Sequence, residues 1–371
     1  MIKVSFSLVV VIVAILIWFI RVDEPISKHT DLEKCPFCYG RGYCKTMDSL
    51  RLRFESFGES VNNMFGVKNV LFTKDGVVLK KLGHDKEIDE LDAVICTNHG
   101  LLRGCDLGSI QSTIDYRKAI RQLLKEFVAN IKVCPNPDLF LEHVEYLMDD
   151  DADFYQKIWM FLMINPEPII LQLLDGTGKS AVPKYFGACG RLVAVEDAGK
   201  PLNDFKDSRW LDRLNLALQL LLAAKSLTED HPYFRFYLTD VSPDNVAVDD
   251  NLNLKIIDLE NLIIVNKDES GLKHHHSEVF NFDGFAYSEE EVCSSSISDH
   301  NYYAICKLLI SKKAEWPMMN GGLLHSIPQE IATAHPELET MIQLCVEPVQ
   351  NFTRFEVADD LIDLFQDILN Q

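Results

Sequence analysis

The stretch Tyr237–Asn261, YLTDVSPDNVAVDDNLNLKIIDLEN, decides how the chain is read. Two short runs within it, NVAV and NLKIID, alternate apolar residues around the turn Asp249–Asn253, a pattern that predicts a β-hairpin. Asp240 and Asn245 precede the first strand in a loop containing Pro243, and Asp258 ends the second strand. A hairpin returns the end of its second strand to the start of its first. It therefore brings Asp258 beside the loop that holds Asp240 and Asn245. Two carboxylates and an amide oxygen at one end of a small sheet are hard oxygen donors, suited to Mg²⁺ or Mn²⁺ held jointly with substrate phosphates.

Phosphoryl transfer requires such a grouping. Positive charge must offset the phosphate oxygens, and a separate carboxylate must orient the attacking hydroxyl. Asp240 is read as that base, with Asn245 and Asp258 as metal ligands. The plainer reading of the same residues is an Asx-rich turn followed by a strand-ending Asp. The order of their neighbours favours the first reading. Upstream, Gly66–Gly83 has two β-branched runs around Lys74-Asp75-Gly76, again a hairpin pattern. A strand in VVLKKL puts Lys80 on one face and Lys81 on the other. Tyr185–Leu202 reads as a strand pair running into a polar turn, and Trp210–Leu227 as a long amphipathic helix. Helical periodicity also covers 113–130, 139–164, 299–311, 328–346 and 354–369.

Asp240, Asn245 five positions on, and the strand-ending Asp258 thirteen beyond that together resemble the catalytic loop and metal-binding Asp of the protein kinase-like fold. VVLKKL resembles the kinase strand Val-Ala-Ile-Lys, which makes Lys80 the candidate for the α- and β-phosphates. LVAVEDAGKPL resembles the linker between kinase lobes, and implies that backbone near Glu196–Ala198 meets an adenine edge. Asp299 in DHNYYAICKLL looks like the Asp of the central large-lobe helix that buttresses the catalytic loop. CVEPVQNFTRFEVADDL resembles the last kinase helices, with Arg354 structural. The departures are specific. Leu238-Thr239 stands where His-Arg is usual, Asp258-Leu259-Glu260 where Asp-Phe-Gly is usual, and Ser242 where Ser/Thr kinases carry Lys. Repeated glycines are missing from Gly58–Gly66, and no Ala-Pro-Glu follows Asp258. The acid that pairs with Lys80 is left open among Glu142, Glu145 and Asp153.

CPFCYG, VVLKKLG, NPEPIILQ, YFGACGRLVAVEDAGKPL, YLTDVSPDNVAV, DHNYYAICKLL and GGLLHSIPQEI extend the likeness from about residue 35 to the C-terminus. On these pieces the chain resembles the divergent protein kinase domain family of the secretory pathway, in the branch called deleted in autism protein 1. The resemblance implies an α+β, bilobal protein kinase-like fold and residence in the Golgi or endoplasmic reticulum lumen, with secretion and paracrine signalling as a further outcome. The expected organisation is a tail and signal anchor at 1–20, a stalk and Cys-rich segment at 21–54, an N-lobe with a helical insertion at 55–196 and a C-lobe at 197–371. Phosphoryl transfer from ATP, with Mg or Mn, to a hydroxyl of a lumenal or secreted protein is the expected activity. Two alternatives stand beside it. One is a pseudokinase acting as a secreted or Golgi binding module, for instance toward a cell-surface receptor. The other is a glycan or small-molecule kinase, because IIDLEN also resembles aminoglycoside phosphotransferases and Ala-Pro-Glu helps bind peptide substrates.

Composition sets the compartment. The 371 residues are 47% hydrophobic and 25% charged, with a net charge of −20 that excludes nucleic acid as a partner. Membrane contact must then come from a particular segment, and Val4–Ile20 carries no charge. As a helix it would span about 25 Å, close to the hydrocarbon thickness of a thin bilayer. Trp18-Phe19-Ile20-Arg21 offers no small-x-small site, so an uncleaved, single-pass type II signal anchor is preferred to a cleaved signal peptide, and both to a core helix. An even ten cysteines behind such a segment predict disulfides, their pairing open. CPFCYGRGYC could also begin a zinc site, but no second pair follows at ribbon spacing. Asn351-Phe352-Thr353 is a glycosylation sequon.

Other tempting stretches read plainly. Asp175–Ser180, DGTGKS, has Leu173 where a Walker motif needs Gly and is read as a turn. His274–His276 is read as a solvated loop, and Asp149–Asp153 as an acidic helix start. Cys189 is read as buried or disulfide-bonded rather than nucleophilic.

Overall fold

The computed structural model describes residues 26–53, 70–110, 114–126, 131–148, 153–175, 181–267, 273–274, 286–316, 319–349 and 353–371. Val4–Ile20, the Gly58–Gly66 stretch, residues 149–152 and 176–180, His275, His276 and the start of the sequon lie outside them. In chain order the principal strands are β1 Val70–Phe72, β2 Val77–Lys80, β3 Ile131–Cys134, β4 Tyr185–Cys189, β5 Leu192–Glu196, β6 Lys200–Pro201, β7 Phe234–Leu238, β8 Val246–Val248, β9 Leu254–Ile256 and β10 Leu262–Asn266. The chain divides into two compact units, an α+β arrangement.

The first unit takes residues up to 117 with 150–168 and 184–197. Its sheet runs β1-β2-β5-β4, each neighbouring pair antiparallel. β1 and β2 form the hairpin expected around Lys74-Asp75-Gly76, with Val70 opposite Lys80. Thr73 Oγ1 donates to Val77 O at 2.8 Å to close its turn. β4 and β5 meet at the two-residue turn Gly190-Arg191. Gly190 has φ +59, and a Cβ there would stand 1.9 Å from Thr30 O. The crowding arises because the Cys-rich segment lies against this hairpin tip. Tyr39 N–H donates to Gly190 O at 2.8 Å, and Gly190 N–H to Gly40 O at 2.7 Å. The buried Arg191 completes the tie, with Nε on Phe37 O at 3.0 Å and Nη2 on Asp92 Oδ1 at 2.5 Å.

The second unit takes 118–149, 169–183 and residues from 198 onward. The helix Trp210–Glu229 is its centre, and the lack of Gly or Pro over 20 residues explains its length. The sequence suggests one leucine face. In the fold Leu214, Leu216, Ala217, Leu220, Leu221 and Ala224 are all fully buried, which takes more than one face. They share a core with Tyr302, Ile305, Leu361 and Phe365. Pro232 stops the helix soon after its end. Helix Arg354–Leu369 begins with a capping box, Thr353 accepting from Glu356 N and the Glu356 carboxylate accepting from Thr353 N. The stretch 328–346 is two helices, Gln329–Ala334 and Leu338–Val346, and 299–311 is helix His300–Ile305 continued by a π turn. Likewise 139–164 is divided into Pro137–Met148 and Phe154–Ile164.

Two small sheets complete this unit. β6-β8-β9 contains the expected hairpin, and β3-β10-β7 joins β10 antiparallel to β7 and parallel to β3. All ten cysteines are paired: Cys35–Cys38, Cys44–Cys189, Cys96–Cys105, Cys134–Cys293 and Cys306–Cys345. Every bridge closes within one unit. Cys35 and Cys38 thus bond to each other, and Cys189 is the disulfide partner of Cys44. Among the described residues no single helix is long and apolar enough to cross a membrane.

Gly199 enters β6 with φ +102, and an added Cβ would meet Val248 O at 2.1 Å. Gly199→Ala is therefore expected to cost about 2–4 kcal/mol, through both strain and displaced backbone. Gly100→Ala, at φ +70 with nothing within 4 Å, should cost clearly less. Denaturant midpoints of the two variants compare them.

Candidate active site

β7 ends at Leu238 and the chain turns through Thr239–Ser242 into the short 3₁₀ turn Pro243–Asn245, where β8 begins. The register Val246↔Ile256 leaves Asn245 opposite Ile257, one residue before Asp258. Ile257 N–H donates to Asn245 O at 2.9 Å, which fixes that juxtaposition. Asn245 then folds its amide back, Nδ2 donating to Asp240 O at 3.2 Å, and Oδ1 is left as the oxygen available to a cation. The sequence-predicted Asp240, Asn245 and Asp258 are thus brought together, all in the second unit. Asp240 and Asp258 are exposed and Asn245 is half-buried, so a ligand from solvent can reach them. Asp258 has φ +63, a conformation unusual for a side-chain-bearing residue but tolerated by Asp. The fully buried Leu259 beside it holds the turn in place. Strain retained at the end of a strand is a recurrent mark of a functional position.

The loop is fixed from behind by polar bonds. Asn301 Oδ1 accepts from Leu238 N–H at 3.0 Å, while its Nδ2 donates to Phe236 O and Thr228 Oγ1. His300 Nε2 lies 2.7 Å from Leu238 O, and since a carbonyl only accepts, that nitrogen carries the proton. Thr239 Oγ1 donates to Asn261 O at 2.9 Å and ties this loop to the segment after Asp258. Asp299 was expected to buttress this loop. Bonds to Leu238 come from the two residues that follow it, and the fully buried Asp299 accepts from Arg354 Nη1 at 2.7 Å. Arg354 also donates to Cys345 O and Val346 O, the structural role expected of it.

Lys80 belongs to the first unit, at the end of β2. Its Nζ is 2.8 Å and 3.0 Å from the two carboxylate oxygens of Glu167. Glu142, Glu145 and Asp153 are therefore not its partner. The reason lies in Asn165-Pro166-Glu167-Pro168. A residue before proline is driven to extended backbone, so Asn165 ends the helix Phe154–Ile164. Its Oδ1 accepts from Glu167 N–H at 2.9 Å and starts the helix Glu167–Asp175. Pro168 is tolerated in that first turn, and the helix N-terminus favours the carboxylate. Glu167 is only 2% exposed, a buried acid whose carboxylate brackets the Lys80 ammonium. The sequence did carry a signal: an Asn-Pro break followed by the one acid in the apolar stretch Ile158–Leu174.

The linker residues are also placed. Glu196 Oε2 accepts from Lys184 N–H at 3.0 Å and Glu196 N–H donates to Lys184 O at 2.9 Å, so its side chain secures the start of β4. Asp197 pairs with Arg53 at 2.9 Å. Ala198 is buried and opens the second unit. Among the described residues no three His, Cys, Asp or Glu side chains form a metal cluster. Asn245 and Asp258 supply only two hard oxygen ligands. That set fits Mg²⁺ or Mn²⁺ only where phosphate oxygens complete the shell.

Two carboxylates and an amide at a hairpin end in the second unit, and in the first a strand lysine paired with a buried acid, are features of a protein kinase-like domain. Residues 158–348 match the protein-family model described as the protein-kinase domain of FAM69. The Divergent protein kinase domain 2A of Xenopus tropicalis is 33% identical over 95% of this chain and 90% of its own length. Its human counterpart is 32% identical over 91% and 87%. The Divergent protein kinase domain 2B of Mus musculus is 25% identical over 64% and 61%. The chain belongs to this divergent protein kinase family.

Two outcomes follow from the site's polar packing. Lys80→Met removes the ammonium that the buried Glu167 carboxylate brackets, and is expected to destabilise by about 2–4 kcal/mol. Glu167→Gln added to it should recover part of that loss, as a double-mutant cycle of unfolding free energies would show. His231, three residues before β7, accepts from Tyr233 N–H at 3.2 Å and Phe234 N–H at 3.0 Å through Nδ1, and only a neutral ring can do so. Burial first, and then the neighbouring His143 and Lys267, lower its pKa to about 4. The unfolded chain thus binds the proton first, at about 6.5. The stabilisation is complete above that pH and is lost as pH falls toward and through 4, roughly 1–3 kcal/mol in all. The pH dependence of unfolding in the wild type, compared with His231→Asn, reads this out.

Proposed function

We propose that this chain binds ATP together with Mg²⁺ or Mn²⁺ and transfers the terminal phosphoryl group to a hydroxyl of a lumenal or secreted protein. The observation that carries the reading is the bonded chain Ile257–Asn245–Asp240, which holds Asp258, Asn245 and Asp240 as one oxygen-rich group. Asp240 orients the acceptor hydroxyl and takes its proton as the oxygen bonds to phosphorus and the bond to ADP breaks. Lys80, fixed by Glu167, is assigned to the α- and β-phosphates, and linker backbone at Glu196 and Ala198 to adenine. A divalent ion held by Asn245 and Asp258 would neutralise phosphate charge. The five disulfides, which use every cysteine, support an oxidising Golgi or endoplasmic reticulum lumen. Val4–Ile20 is assigned as the signal anchor or cleaved signal that delivers the chain there, and the sequon as a glycosylation site.

A second reading, a pseudokinase that binds a nucleotide or a cell-surface partner without transfer, is favoured by one feature. The loop Asp240–Asn245 contains no cation, since Ser242 stands where lysine is usual.

Thermal shift separates the two. At about one hundred times its dissociation constant, ATP with Mg²⁺ or Mn²⁺ should stabilise the protein by roughly 2.7 kcal/mol. The divalent ion alone should give almost no shift, because the protein offers two ligands. Asp258→Ala should abolish the nucleotide shift, whereas Asp240→Ala should keep it and lose transfer to peptide or glycan arrays. A shift without transfer in the wild type selects the pseudokinase. Transfer that survives both substitutions overturns the residue assignment.

A further inference from the structure

A cleft of about 420 Å³ lies wholly within the first unit, lined by none of the residues assigned to the candidate site. Helix Asp85–Asn98 forms one wall, where Lys86, Asp89, Ala93 and Cys96 recur at helical spacing and so share a face. The other wall is the loop that the Cys96–Cys105 bridge closes, and it contributes Arg103. Most of the charges are already spent. Lys34, also at the cleft, lies 3.3 Å from Asp92, whose other oxygen takes Arg191, and Lys86 lies 3.8 Å from Glu90. Among the described residues Asp89 and Arg103 make no ion pair, with each other or with any other group. The cleft thus keeps one guanidinium and one carboxylate apart, while Ala93 and the disulfide add apolar surface.

The same loop displays leucines. Leu102, next to Arg103, is 88% exposed and Leu101 44%. The display is rigid. Leu101 N–H donates to Cys96 O at 2.8 Å and Gly100 N–H to Thr97 O at 2.9 Å. The His99 ring meets the fully buried Phe37 edge-on, with centroids 5.7 Å apart. Adjacent leucines held out to water on a bridged loop mark a contact surface, and their fixed geometry lowers the ordering cost of that contact. The base of the loop is also packed on the segment by which the chain enters this unit. A Cβ on Gly108 would stand 2.4 Å from Glu33 O. Only residues 21–25 separate the start of that segment, Ile26, from the uncharged stretch Val4–Ile20.

We propose that this face of the first unit rests on a phospholipid bilayer, with Leu101 and Leu102 in its apolar margin and a zwitterionic headgroup in the cleft. The headgroup phosphate accepts from the planar fork of Arg103, and the ammonium lies against Asp89. An anionic headgroup satisfies Arg103 alone and brings negative charge to Asp89, on a chain whose net charge of −20 already repels an anionic surface. The membrane reading of Val4–Ile20 supplies only the side from which the bilayer approaches.

Photo-crosslinking tests the contact on the full chain reconstituted in phosphatidylcholine nanodiscs, with a diazirine analogue of leucine at position 102. Lipid adducts should form there, and not with the analogue at the exposed Leu222 of helix Trp210–Glu229. Arg103→Glu and Asp89→Lys, both at exposed positions, should each lower the yield about fivefold with melting temperature unchanged. Phosphatidylglycerol in place of phosphatidylcholine should lower it as well. No lipid adduct at 102, a yield equal to that at 222, an adduct to protein in place of lipid, or indifference to both charge reversals overturns the proposal. If the chain fails to insert in the discs, the membrane reading of Val4–Ile20 fails. The same adduct assay with added phosphatidylcholine vesicles then decides for or against the loop.

Discussion

The backbone bond from Ile257 N–H to Asn245 O extends the β8–β9 hairpin one step beyond its last strand pair, and the candidate site depends on that step. Without it Asp258 would end a strand with no fixed relation to the loop before β8. With it, two residues 13 apart in sequence become neighbours whose separation is set by main-chain geometry. Asn245 extends the tie to Asp240 through its amide, so three functional groups share one backbone frame. Such frames tolerate side-chain variation nearby. Leu238, Thr239, Ser242 and Glu260 all depart from the usual kinase pattern, yet none of the departures removes a bond in this frame.

Elsewhere the fold commits charges to the interior in pairs. Arg354 with Asp299, Arg191 with Asp92 and Lys80 with Glu167 each place a cation against a carboxylate of low exposure. Buried pairs of this kind add little net stability, but losing one member is costly. Lys80 is therefore a poor place to test a function by substitution, because stability would change as well. Asp240 is exposed, and its carboxylate can be altered with the fold left intact.

What could be read from the sequence followed the range of the interactions. The two hairpins were legible because alternation and turn residues lie within one short window. The helix Arg354–Leu369 was legible from its own periodicity. Glu167 was not found, since its partner lies 87 residues away and nothing in the local Asn-Pro break points to a lysine on a distant strand. β3 was missed for a related reason. Its four residues lie between helices, and its parallel partner β10 comes more than a hundred residues later. The buttress of the Asp240 loop was legible only in part, because Asp299 is the residue that resembles the kinase pattern whereas the bonds of His300 and Asn301 to Leu238 have no local sequence signal.

The bridges Cys44–Cys189 and Cys134–Cys293 interleave along the chain, with separations of 145 and 159 residues. A polypeptide synthesised from its N-terminus exposes Cys44 long before Cys189, and Cys134 appears in the interval as a nearer wrong partner. Cys96 and Cys105, only nine apart, can close early and remove themselves as competitors. Cys134 cannot, because its mate is made last of the four. Correct oxidation of the first unit thus has to wait while a decoy thiol stays reduced, or be repaired by thiol–disulfide exchange afterwards. Biosynthetic yield should accordingly be limited by isomerase supply rather than by the strength of either hydrophobic core.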